Sequence, residues 1–106
     1  VIYIVHPLRN IDISAALPYG EPYYINTRYV YPDEIGEDGR IPSPFRTNIY
    51  AAASRFDPAK DYLLIGAGDD LQLTEFIAVL SSYGNAFRVL RYDRKAEGYL
   101  PVTIYI

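Results

Sequence analysis

Residues Asp61–Gly84 hold a strand, a glycine turn, an acidic cap and an amphipathic helix in that order, and no other stretch of this 106-residue chain restricts its fold so tightly. Tyr62-Leu63-Leu64-Ile65 lacks polar alternation, so it reads as a strand buried on both faces. Gly66-Ala67-Gly68 makes the turn, and Asp69 or Asp70 suits the position whose side chain accepts from the first free N–H groups of a helix. Leu73, Phe76, Ile77 and Leu80 then recur at helical spacing along one stripe. Gly84 stands where a helix commonly ends on a left-handed residue. A buried strand followed by a helix implies a parallel partner strand reached by a crossover.

The rest of the chain supplies those partners. Val1–Val5 is a second unbroken apolar strand, ending at His6-Pro7. Ser14–Leu17 suits a short helical turn capped by Asp12 or Ser14, with Pro18 and Gly20 to break it. Tyr23–Tyr31 alternates as a half-exposed strand, and the proline- and acid-rich run from Pro32 to Pro44 reads as a mobile surface loop. Ser43-Pro44 has the form of a cap and first helical residue, followed by the stripe Phe45, Ile49, Ala52, Ala53 and Phe56 and a stop at Asp57-Pro58. Phe87–Tyr92 and Tyr99–Ile106 read as a hairpin joined through Asp93–Gly98, with Pro101 pointing to an edge strand. The expected fold is a single α/β domain over residues 1–106: a small three-layer, mostly parallel sheet with helices on its faces and a C-terminal β-hairpin.

Composition removes several function classes. Half the residues are hydrophobic and 22% are charged, a globular balance. No apolar run is long enough to span a bilayer and no signal peptide opens the sequence, so a soluble, cytoplasmic protein with no membrane partner is expected. With no cysteine and one histidine, disulfide frameworks, zinc fingers and thiol chemistry fall away, and no cofactor or metal is expected. A net charge of −3 works against nucleic-acid binding, although Arg88, Arg91, Arg94 and Lys95 form a local basic cluster. Twelve tyrosines without a tryptophan fit strand preference, and equally a surface built for partner contacts.

Reactive side chains concentrate in one place if the first and third strands are neighbours. Ligands in open α/β sheets bind beyond the carboxyl ends of the strands where strand order reverses. There His6, Arg9 and Asn10 would meet Gly66, Gly68, Asp69 and Asp70, the candidate ligand-binding set. The glycine turn is neither a dinucleotide fingerprint nor a phosphate loop, and two aspartates would repel an anion. Capping of the helix is the simpler role for them, with a Mg²⁺ pair as the alternative. His6 in turn reads as a strand-ending residue whose ring bonds a backbone carbonyl; a titrating role requires a carboxylate partner. The apolar C-terminal strand invites pairing with a second copy, so a homodimer is expected.

Two resemblances attach to particular residues. Asp12-Ile13-Ser14-Ala15-Ala16, Tyr19-Gly20-Glu21, Asp61–Ile65 with Gly68-Asp69, Val89–Arg94 and Tyr99–Val102 follow the order of motifs in a group of short tailed-bacteriophage proteins of the type "DLSPA", "YGE", "DYLLL-GD", "VLRWDR" and "YIPV". The chain resembles that group over most of its length, with a tyrosine at 92 where the group has tryptophan and a longer glycine turn. The resemblance implies a small interaction or regulatory protein with a host or phage protein as partner, without catalytic activity, or a minor virion component. Ile2–Leu8 is similar to the opening strand of nucleoside 2-deoxyribosyltransferase-like proteins, and Thr74-Glu75 to the helix bearing their nucleophile. That resemblance implies Glu75 as nucleophile, assisted by Asp69 or Asp70 and His6. The chain departs from it in having no long helix after His6-Pro7 and no small-residue turn before Glu75.

Overall fold

The structure, a computed structural model, describes residues 1–9, 11–66, 70–84 and 86–105. Five strands form one sheet: β1 (Ile2–Ile4), β2 (Pro22–Tyr24), β3 (Tyr62–Ile65), β4 (Phe87–Asp93) and β5 (Gly98–Ile104), in the order β2-β1-β3-β4-β5. The first four are parallel, and β5 returns antiparallel to β4. Helix α1 (Ser43–Arg55) links β2 to β3, and α2 (Leu71–Ser82) links β3 to β4. The expected mostly parallel α/β domain with its C-terminal hairpin is therefore the observed one.

Handedness explains the layers. The crossovers through α1 and α2 both step toward the β4 side, so right-handed connections put both helices on one face. The β1-to-β2 connection steps the other way and falls on the opposite face, where a 3₁₀ segment, Ser14–Tyr19, covers the sheet. The helix-side core joins Tyr3, Leu63, Phe87 and Val89 of the sheet to Ile49, Ala52, Phe76 and Leu80 of the helices. The opposite core joins Ile2, Ile4, Leu64, Leu90 and Tyr99 to Ala16. All three residues of β1 are buried, as a strand with apolar residues on both parities requires.

Several boundaries differ from the sequence expectation, each for a visible reason. The expected strand Tyr23–Tyr31 is regular only over Pro22–Tyr24. Ile25 and Asn26 still donate to Ile4 and Val5 carbonyls at 2.8 and 2.9 Å, after which side-chain bonds of Asn26 draw the backbone out of the ladder. Helix α1 begins at Ser43 itself, with Pro42 at the cap and no side-chain cap bond, because the Pro42 carbonyl accepts from Phe45 N–H at 3.0 Å. The 3₁₀ segment runs through Pro18 to Tyr19; its entry is held by Asp12, which accepts from Ser14 N–H at 2.9 Å. The acid-rich loop contains its own 3₁₀ turn, Pro32–Glu34, closed by Tyr31 N–H donating to Glu34 at 2.8 Å. Gly84 adopts the expected left-handed conformation, with φ of 73°.

Candidate functional site

Strand order reverses between β1 and β3, and the two chain segments leaving their carboxyl ends diverge there. A cleft of about 490 Å³ opens at this point, walled by His6, Arg9, Thr27, Arg28, Tyr29 and Asp70 among others. Three of the expected candidates, His6, Arg9 and Asp70, thus meet in one cavity. Asn10, Gly68 and Asp69 lie outside the described residues. Gly66 packs beneath the cleft: a Cβ built on it would stand 3.1 Å from a Leu8 methyl and 3.4 Å from an Ile11 methyl. A glycine here lets the segment after β1 close over the end of β3.

His6 and Asp70 are in direct contact, Nε2 against Oδ2. The other ring nitrogen, Nδ1, donates to the Pro7 carbonyl at 2.8 Å, the backbone bond expected of a strand-ending histidine. Both ring nitrogens therefore face oxygen atoms, an arrangement that the doubly protonated imidazolium satisfies. Burial pushes the His6 pKa down, but the Asp70 hydrogen bond, the Pro7 carbonyl and the Asp70 charge outweigh it, and the net direction is up. Asp70 is equally engaged. Its Oδ1 accepts from the N–H groups of Gln72 and Leu73 at 3.0 and 3.2 Å, so Asp70 rather than Asp69 is the N-cap of α2. One carboxylate thus starts the helix and anchors the end of β1 across 64 residues of sequence.

Behind the cleft a chain of amides runs inward from exposed Asn48 to buried Asn26 and Gln72. Asn48 Nδ2 donates to Asn26 Oδ1 at 2.8 Å, Asn26 Nδ2 donates to Gln72 Oε1 at 2.7 Å, and Gln72 Nε2 donates to the Arg28 carbonyl at 2.8 Å. Gln72 has no solvent exposure. The chain holds the Asn26–Arg28 backbone against α2 and so sets the cleft wall. Arg28 turns outward to a two-pronged pair with Glu34, at 2.9 and 2.7 Å, and this pair holds the Glu34 carboxyl down at about 2. Tyr29 stands edge-on to the His6 ring at 5.6 Å and to Tyr31 at 5.1 Å, giving the cleft an aromatic side. Arg9 is exposed at the rim and forms no hydrogen bond or ion pair among the described residues.

Glu75 lies elsewhere. It accepts from Tyr50 OH at 3.1 Å and from Arg40 Nη2 at 3.4 Å, between α1 and the loop before it, and is not part of the cleft wall. No group of three His, Asp or Glu side chains among the described residues is placed to hold a metal ion. Sequence reasoning missed Gln72 and Asn26. A signal existed for the first, since Gln72, Phe76 and Leu80 share one stripe at intervals of four and Gln72 is its only polar member. No helix among the described residues is long and apolar enough to cross a membrane.

No family model, curated protein or solved structure matches this chain.

Proposed function

We infer that this chain is a non-catalytic interaction protein of the kind the bacteriophage resemblance implies, acting by protein–protein contacts in the cytoplasm of a host cell. The observation that carries this reading is the internal engagement of the His6–Asp70 pair. A general base needs a free lone pair within reach of a substrate proton. Here both imidazole nitrogens and both carboxylate oxygens already have partners inside the protein. The pair works as a clip between β1 and α2. The exposed tyrosines, among them Tyr23, Tyr24, Tyr31, Tyr50, Tyr83 and Tyr92, add amphipathic contact area on several faces.

The test has two arms. Purified protein is incubated with a panel of nucleosides and nucleotides and the products are separated by chromatography. Turnover that disappears in His6→Gln or Glu75→Gln would overturn the reading. Affinity capture from infected-cell lysate should recover a partner whose purified form binds again; recovery of none counts against it.

A second reading is favoured by the cleft's position at the switch point, its tyrosine side and the exposed Arg9: binding of a nucleoside or nucleotide without turnover. Stabilisation in thermal shift by such a ligand, lost in Arg9→Ala, is its expected signature, and no shift with any of them removes it. Assembly is a separate matter. The outer edge of β5 supports a homodimer by edge pairing, although Pro101 has no N–H to offer. Light scattering that finds only monomer in concentrated protein refutes the dimer.

A further inference from the structure

Between β3 and β4 the chain crosses over through a helix, but between β4 and β5 it turns back directly as a hairpin. No crossover helix is therefore supplied for the last part of the sheet's helix-side face. Val89 lies on that face in the helix-side core, and its register partner is Val102; Phe87 is likewise opposite Ile104, and Arg91 opposite Leu100. Directly opposed residues project to the same side of a sheet. Leu100, Val102 and Ile104 thus face the helix side, yet they are 48%, 39% and 37% exposed, and β5 contributes nothing to the core there. A groove of about 540 Å³ runs from the end of β3 over Val89, Val102 and Ile104, bordered by Arg91, Tyr92 and Arg94, and a second of about 520 Å³ continues past Leu100 and Asp93. Neither arginine has a hydrogen-bond or ion-pair partner among the described residues. By contrast Arg88, on the opposite side, is engaged with Tyr62 OH and the Ala59 carbonyl at 3.0 and 2.9 Å.

We propose that the helix-side face of the β4–β5 hairpin is a docking surface for an acidic amphipathic helix of a partner protein. This deepens the interaction reading given above and rests on it. The uncovered face is where a third crossover helix, roughly 10 Å across, would pack on the sheet. An aliphatic floor of Leu100, Val102 and Ile104 takes apolar side chains. The two arginines on its border select carboxylates and set the register. With Asp93 standing between them, they leave the margin of the apolar strip net cationic on a chain of net charge −3.

The experiment uses the whole chain and a fluorescein-labelled peptide with leucines at i, i+3, i+4 and i+7 flanked by glutamates. A copy with lysines for the glutamates, and a single-stranded DNA oligonucleotide, serve as comparisons. The acidic peptide should bind saturably, weaken with salt, and shift the amide resonances of β4 and β5. The double variant Arg91→Glu/Arg94→Glu should bind it about tenfold more weakly and bind the lysine peptide better. Leu100→Ser/Val102→Ser should lose binding while keeping the circular dichroism of the parent. Equal affinity for the acidic and lysine peptides, tighter binding of the oligonucleotide, or no binding of the acidic peptide would each overturn the proposal. So would protection of the strip in peptide-free protein that self-associates, which assigns the face to a second copy. Peptide shifts centred on the His6–Tyr31 cleft overturn this surface alone, whereas turnover of a nucleoside overturns the interaction reading beneath it.

Discussion

Replacing Asp70 by asparagine separates the two tasks of that side chain. Asparagine keeps an Oδ1 to accept from the Gln72 and Leu73 N–H groups, so the cap of α2 survives. Its amide donates to His6 Nε2 in the neutral ring, so a hydrogen bond survives too, and only the ionic part is lost. Charged hydrogen bonds are worth about 1 kcal/mol more than neutral ones, and that is the expected cost of Asp70→Asn. Asp70→Ala also removes the neutral bond and the cap, each about 1 kcal/mol, and should cost about 3 kcal/mol in all. The cost of Asp70→Asn depends on pH. The folded-state pKa of His6 is raised above its ordinary 6.5, so the folded protein binds the proton more tightly than the unfolded chain. The stabilisation is complete below pH 6.5 and is lost as pH rises through the raised value. Urea denaturation of parent and variant across that range should show their stabilities converging toward alkaline pH. Because His6 is the only histidine, its proton NMR titration is unambiguous. A His6 pKa at or below 6.5, or a parent–variant gap that widens with pH, would refute the clip.

Other substitutions test the elements around it. Gln72→Leu strips partners from the buried Asn26 amide and the Arg28 carbonyl and should cost about 3 kcal/mol in urea denaturation; unchanged stability would mean the amide chain carries no stability. Phe76→Ala empties the centre of the helix-side core, where the ring meets Tyr3 and Phe56, and should cost about 4 kcal/mol by the same measurement. Arg28→Ala should return the Glu34 carboxyl from about 2 toward its ordinary 4.5, followed by carbon-detected NMR titration. In the parent, that depressed value gives stability that is present above the ordinary carboxylate range and lost as pH falls through about 2.

Much of the fold was legible because its signals are local. Apolar residues on both parities marked β1 and β3 as central, and spacing of three and four marked the α2 stripe. A glycine after the last helical turn marked its end. The hairpin and its proline-bearing edge strand were legible for the same reason. The second strand was misread because alternation continues through Tyr31 while the backbone leaves β1 after Asn26. That departure depends on Asn48, Phe45 and Gln72, which are far from Asn26 in sequence.

The candidate site divides along the same line. Topological reasoning brought His6, Arg9 and Asp70 together, since strand order alone decides which loops share an end of the sheet. Pattern also marked the strand–turn–helix unit of Asp61–Gly84, whose capping and periodicity span only a few residues. Only the tertiary structure decided that the second oxygen of the Asp70 cap reaches His6, and that a glutamine in an apolar stripe holds the cleft wall. Those outcomes are contacts between residues 44 to 64 positions apart, formed when the sheet closes and invisible to any periodicity along the chain.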